Sequence, residues 1–126
     1  MDKKDLIVAF WRDVTEQNEP SLRSYFSKDA VVKWHNTNEL FTVDEYLIAN
    51  CEYPGNWMGE IQRIEEINDL IITVVRVHDL DDGISVHATS LIRFAEGKII
   101  EMDEYWSDDG KVPQWRLDKK IGTTIK

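Results

Sequence analysis

A carboxylate near the end of the sequence is the first candidate for chemistry. Glu104 lies between Met102 and Trp106 at a spacing of two, so strand alternation places the three side chains on one face. A carboxyl group between two large apolar side chains loses hydration, which raises its pKa and suits it to general acid or base work. Two alternatives stay open: a register shifted by one residue would turn Glu104 to solvent, and an arginine paired with it would make it structural.

A second group of polar residues occupies positions 34–39, where the sequence reads Trp-His-Asn-Thr-Asn-Glu. His35 can titrate near neutral pH and is the second acid–base candidate. Trp34, Asn38 and Glu39 are predicted ligand contacts. Asn and Thr are also ordinary turn residues, and in a regular strand only one of Trp34 and His35 can face a common cavity.

The segment from Cys51 to Trp57 is predicted to form the lip of a pocket. Tyr53 and Trp57 would be apolar walls that each carry one polar atom. The alternative is a helix end that simply packs on the core. Cys51 follows Leu47 by one helical turn, which favours a buried structural thiol over a nucleophile.

Metal, nucleotide and serine-hydrolase sites are not predicted. A metal site needs three or four converging ligands, and His35, His78, His87 and Cys51 show no ligand spacing. His78 and His87 flank the turn at 81–83; a two-residue loop would place them opposite each other and a three-residue loop would not, and an exposed cross-strand pair is the default expectation. The sequence has no Gly-rich phosphate loop and no Gly-x-Ser-x-Gly elbow. We therefore expect neither a metal nor a cofactor.

Size and charge restrict the class of protein and its partners. The 126 residues have room for one core, so a single domain over 1–126 is predicted. The net charge of −9 disfavours nucleic acid and anionic membrane surfaces as partners. No apolar run approaches the length of a membrane span. One cysteine excludes an internal disulfide, and the first residues lack the apolar stretch of an export signal, so a cytoplasmic location is expected.

Three helices are predicted in the first half of the chain. Apolar residues at helical spacing favour a helix over 3–17, and Pro20 suits the first turn of a short second helix. Thr42 followed by Glu45 has the spacing of a capping box, which predicts a third helix over about 43–51.

Strands dominate the rest of the chain, and turn residues separate them. The predicted strands are 30–35, a stub at 40–41, and then 57–67, 70–79, 84–95 and 98–106. The last four form an antiparallel meander, and residues 107–126 are predicted to be an irregular tail. Helices followed by a meander make an α+β fold, in which a curled sheet leaves a concave space for a small ligand.

This element order, the segment Phe26-Ser-Lys-Asp-Ala-Val-Val and the ending from Ile92 to Ser107 resemble the nuclear transport factor 2-like superfamily over about residues 3–107. Ketosteroid isomerases and polyketide-cyclase-like proteins belong to it. The resemblance implies a cone-shaped, curved antiparallel sheet wrapped around the N-terminal helices, a cystatin-like roll. It also implies that Met102, Glu104 and Trp106 face the cavity. One such fold hosts many functions.

The catalytic groups of ketosteroid isomerases are missing from this sequence. The resemblance places their tyrosine and two aspartates at Phe10, Trp34 and Ser90, so isomerisation by that mechanism is not expected. Ser90 stays a predicted ligand contact through its matched position, and so do Met102 and Trp106.

The predicted function is the binding of a small apolar or aromatic molecule in a hydrophobic pocket. If the protein is catalytic, we expect an isomerase-like or cyclase-like proton transfer without a cofactor. The alternative is a noncatalytic ligand-binding or dimerisation module whose own aromatic side chains fill the pocket. Strands 70–79 and 84–95 carry apolar residues on both faces, and the resemblance implies association there, so a homodimer is predicted. Leu91, with Val75 or Val77, is a candidate contact.

Overall fold

The computed structural model describes residues 2–81 and 83–126. The helices are α1 (Lys3–Glu16), α2 (Glu19–Tyr25), α3 (Val43–Cys51) and α4 (Gln114–Lys119), with a 3₁₀ turn at His35–Thr37. The strands are β1 (Phe26–Trp34), β2 (Glu39–Thr42), β3 (Trp57–Ile67), β4 (Leu70–Asp79), β5 (Ser85–Ala95) and β6 (Lys98–Asp108). The predicted α+β class is confirmed, with N-terminal helices against a six-stranded, curved and unclosed sheet.

Side-chain caps fix the starts of the first and third helices. The Asp2 carboxylate accepts the backbone N–H of Asp5 at 2.8 Å at the start of α1. At the start of α3, Thr42 and Glu45 form both hydrogen bonds of the predicted capping box. These caps satisfy N–H groups that the first helical turn leaves unpaired.

The strand order is β2-β1-β6-β5-β4-β3. Strands β3 to β6 form the predicted antiparallel meander. The sheet differs from an all-antiparallel one at a single pair, because β1 runs parallel to β6. This pair joins the first strand to the last, and α3 and four strands lie between them in the chain.

The concave face of the sheet carries the core. Every second residue of β4 from Ile71 to Asp79 is buried, as expected for a strand with one face on the core. α1 covers this face: the Trp11 indole donates to the Thr73 hydroxyl at 3.2 Å. α1 also lies close to β3 at Gly59, where a Cβ atom would stand 2.9 Å from a methyl group of Thr15.

Two expectations about outward-facing residues need correction. Val75 and Val77 face the buried concave side and are not available as dimer contacts, whereas Leu91 is half-buried on the outer face. His78 and His87 are not a cross-strand pair, because His78 lies opposite Ser85 and His87 opposite Arg76. The turn that joins their strands includes Asp82, which lies outside the described residues.

The C-terminal segment is less irregular than expected. β6 extends to Asp108, and α4 forms within residues 107–126. α4 has no buried residue. Among the described residues no helix is both long and apolar enough to cross a membrane.

Candidate functional site

A cavity of about 370 Å³ opens at one end of the cone. It lies between the last turn of α1, the end of α3 with the loop that follows, and the ends of β1, β4, β5 and β6. Its apolar lining beside the aromatic rings is Val14, Ala49, Val77, Ile84 and Val86. A mainly apolar hollow of this size is typical of small-ligand sites.

Four aromatic side chains, Trp34, Tyr53, Trp57 and Trp106, form much of the cavity wall. The rings of Trp34 and Trp106 are 6.3 Å apart in a T-shaped arrangement. The rings of Tyr53 and Trp57 are 5.4 Å apart and tilted by 52°. All four were predicted ligand contacts, and the structure brings them together at one cavity.

Five polar residues complete the lining: Thr15, Asn36, Thr37, Asn50 and Asp108. Asn36 accepts the backbone N–H of Trp106 at 2.6 Å, and the Asn50 amide donates to the carbonyl of Val14 at 3.1 Å. Sequence reasoning missed Thr15, Asn50 and Asp108, whereas Asn36 and Thr37 lie in the predicted polar segment 34–39 but were not among its predicted contacts. The signal for Asp108 was present, since it continues the alternation of positions 102, 104 and 106 by one step.

Glu104 lies beneath the cavity wall rather than in it. Only 1% of the residue is exposed, and it is absent from the cavity lining. Its carboxylate accepts the Trp34 indole N–H at 3.0 Å and the Ser90 hydroxyl at 2.6 Å. No Lys, Arg or His side chain among the described residues pairs with it. Burial raises the pKa of the Glu104 carboxyl, while the bonds from Ser90 and Trp34 act in the opposite direction.

His35 lies outside the cavity. Its ring stacks on Tyr105 at 4.4 Å, and its Nε2 atom is 2.6 Å from the Asp103 carboxylate. Tyr105 and Asp103 alternate with Glu104 and therefore lie on the opposite face of β6. Trp34, not His35, faces the interior, so the structure does not bring His35 next to Glu104. The buried Tyr46 hydroxyl is the group that Glu104 influences: burial raises the pKa of Tyr46, and the Glu104 carboxylate raises it further.

The remaining predicted contacts separate into two groups. Ser90 and Met102 are fully buried, with Ser90 bonded to Glu104 and Met102 in the core. Asn38 and Glu39 are exposed and do not line the cavity; Glu39 accepts a bond from the Thr37 hydroxyl at 2.6 Å.

Other chemical possibilities are few in the described part of the chain. Cys51 is half-buried at the end of α3, and burial raises the pKa of its thiol, which disfavours the reactive thiolate. Within residues 2–81 and 83–126 no group of three His, Cys, Asp or Glu side chains could hold a metal ion.

Comparison with solved structures finds the same architecture. An NTF-2 like protein of unknown function from Burkholderia xenovorans matches with a TM-score of 0.80 and 20% identity, covering 98% of this chain and 94% of that chain. A protein from Shewanella putrefaciens described as a SnoaL-like polyketide cyclase matches with a TM-score of 0.70 and 13% identity, covering 84% and 80%.

A third match has a small molecule in its structure. It is a hypothetical protein with a ketosteroid isomerase-like fold from Catenulispora acidiphila, in complex with trimethylamine. Its TM-score is 0.66 at 19% identity, covering 80% of this chain and 85% of that chain. No family profile and no curated protein sequence matches the chain. At these identities the likeness shows the fold.

We predict that Glu104→Gln stabilises the protein increasingly as the pH rises. The folded-state pKa of Glu104 lies above its ordinary value of 4.5, so its proton stabilises the fold at low pH. This stability is lost as the pH rises through the folded-state pKa. Gln is neutral at every pH and keeps both hydrogen bonds. The difference in unfolding free energy between variant and wild type should therefore rise from pH 4.5 by at most about 1.4 kcal/mol per pH unit, and then level off.

Urea unfolding of both proteins between pH 4.5 and 9 measures this difference. Glu96→Gln is the matched control, because Glu96 is exposed and has no side-chain partner among the described residues. Its difference from wild type should change little with pH. A Glu104→Gln protein that loses stability relative to wild type as the pH rises would mean that the charged carboxylate stabilises the fold.

Proposed function

We infer that this chain, whose structure has the nuclear transport factor 2-like fold, is a small-molecule-binding protein whose ligand occupies the cavity between Trp34, Tyr53, Trp57 and Trp106. The observation that carries this proposal is an open cavity of about 370 Å³ with a predominantly apolar wall. A module filled by its own aromatic side chains would have no such space. Water molecules make few hydrogen bonds to aromatic walls. A ligand that buries apolar surface in the cavity can therefore displace them favourably.

The neighbouring structures support a binding role. The Catenulispora acidiphila protein shares this fold and is in complex with trimethylamine, a small organic molecule. The aromatic walls of the present cavity fit the expected class of small apolar or aromatic ligands. A cytoplasmic location, expected from the single cysteine, belongs to the same proposal.

Acid–base catalysis through Glu104 is the second candidate, of the isomerase-like or cyclase-like type and without a cofactor. It is favoured by the raised pKa of the Glu104 carboxyl and by its bond to Trp34, which lines the cavity. Because Glu104 is only 1% exposed, a ligand in the cavity can reach its carboxyl only if wall side chains such as Trp34 move. His35 has no part in this proposal, because it lies on the outer face with Asp103.

A homodimer is also proposed, through the outer face of the meander. Ile72, Val74 and Leu91 are half-buried there on neighbouring strands, with Ile72 directly opposite Leu91. Arg63 lies opposite Val74 and Asp103 opposite Leu91, so charges of both signs flank the apolar centre. A patch of this kind can pair with itself across a two-fold axis.

The first test of the proposal blocks the cavity. Ala49→Trp puts a large side chain into the lining and should abolish binding of the neutral fluorescent probe N-phenyl-1-naphthylamine. Ala95→Trp adds the same side chain at an exposed position outside the cavity and should leave binding unchanged. Fluorescence titration measures both. Equal probe affinity in the two variants would remove the cavity as the binding site.

The second candidate predicts a proton-transfer activity that can be detected without the natural substrate. The protein should accelerate deuterium incorporation at the α-carbon of cyclohexanone in D₂O, followed by NMR. Glu104→Gln should lower that acceleration by about 10²–10⁴-fold, because the amide cannot exchange a proton with the ketone. A wild-type rate equal to that of Glu104→Gln would rule out general acid–base catalysis of this kind.

The dimer predicts a sedimentation mass of twice the 14.8 kDa chain at micromolar concentration. Leu91→Arg should shift the mass to one chain, since it buries an unpaired charge at the centre of the contact. Leu117→Arg changes an exposed residue of α4 and should remain dimeric. A wild-type mass of one chain would overturn the proposed association.

A further inference from the structure

The lining of the cavity carries one charged side chain, and that charge is negative. Asp108 is the one ionisable acid among its lining residues, and the lining contains no Lys, Arg or His. The Asp108 side chain has no hydrogen bond or ion pair with any described residue. The chain as a whole carries −9. Cations are therefore drawn to the mouth of the cavity, and anions are repelled.

The aromatic walls favour the same sign of charge. Each aromatic ring has a negative face, and a cation within about 6 Å of the ring centre is attracted to it, most strongly by Trp. Three of the four rings in this wall are Trp. A cation inside the cavity is thus stabilised by the walls as well as by the carboxylate.

The polar groups of the lining favour a cation that carries few hydrogen-bond donors. The Asn36 carbonyl accepts from the Trp106 backbone, the Asn50 amide donates to Val14, and the Thr37 hydroxyl donates to Glu39. The Trp106 indole N–H in the wall is buried without a hydrogen-bond partner among the described residues, but it is a donor and cannot accept from an ammonium ion. A primary ammonium ion has three N–H donors and would find few free acceptors in this lining, and each donor left unpaired is costly.

We propose that the ligand of this cavity is an alkylated ammonium ion, with methyl groups against the Trp rings and its charge near Asp108. The inference rests on the proposed binding function and narrows the class of ligand from apolar molecules in general to apolar cations. Methyl groups around the nitrogen provide the apolar contact surface, while the charge spread over them meets the ring faces.

Three ligands of the same shape separate charge from size. Choline has a trimethylammonium group, 3,3-dimethylbutan-1-ol replaces its nitrogen with carbon and is neutral, and 3,3-dimethylbutanoate is an anion. Calorimetric titration of the full chain should give choline an affinity at least about tenfold higher than the alcohol, from contacts with two or more rings. The anion should bind more weakly than the alcohol.

Two variants assign the preference to named residues. Asp108→Asn should weaken choline binding by about fivefold, the loss of one charge pair at close range in water, and leave the alcohol unchanged. Asp29→Asn removes the same charge at an exposed strand position outside the cavity and should have no effect. Trp57→Leu should weaken choline more than the alcohol, with circular dichroism as the check of folding.

The outcomes separate a failure of the cation preference from a failure of the proposed ligand-binding function. Equal or tighter binding of the neutral alcohol overturns the cation preference while leaving a ligand-binding cavity. Absence of binding by all three compounds also overturns it, and the N-phenyl-1-naphthylamine titration then decides whether the cavity binds ligands at all. Equal effects of Asp108→Asn and Asp29→Asn would assign any preference to overall charge and refute the role of Asp108.

Discussion

The position of β6 between β1 and β5 determines what the interior of this protein contains. In the parallel pair Trp34 lies opposite Glu104, and in the antiparallel pair Ser90 lies opposite Glu104 and Ala88 opposite Trp106. Both hydrogen bonds to the buried carboxylate thus come from its two flanking strands. A slip of one residue in either pair would turn Glu104 outward, and the Trp34 indole would lose its acceptor.

This arrangement decides where a proton on Glu104 must reside. An indole N–H can only donate, so the oxygen facing Trp34 must remain an acceptor in both protonation states. A serine hydroxyl can donate or accept, so the oxygen facing Ser90 can carry the proton while its hydrogen bond reverses. The Trp34 ring therefore keeps its anchor whether or not Glu104 is charged, and the cavity wall that it forms does not depend on that charge.

The sequence was sufficient to predict the features that depend on residues close together in the chain. Hairpin turns predicted the meander, and Thr42 with Glu45 predicted the start of α3. It was insufficient for the β1–β6 pair, which joins distant segments and leaves no local signal. His35 shows the same limit: the 3₁₀ turn at His35–Thr37 ends the alternation of β1, so positions 38 and 39 cannot be assigned to a face by counting from Trp34. The position of Asp108 at the cavity could have been predicted, because the alternation of β6 continues to that residue.

The cavity follows from the difference in length between helix α1 and the long strands β5 and β6. The 14 residues of α1 span about 21 Å, whereas the 11 residues of β5 or β6 span about 36 Å. One helix cannot cover the concave face along its whole length. α1 packs against β3 and β4, and its last turn reaches the cavity only at Val14 and Thr15. At the end of the sheet that bears Val86, Trp106 and Asp108, the α-helices contribute to the cavity wall only the last turn of α1 and the end of α3. Aromatic rings form much of the remaining wall without filling the space.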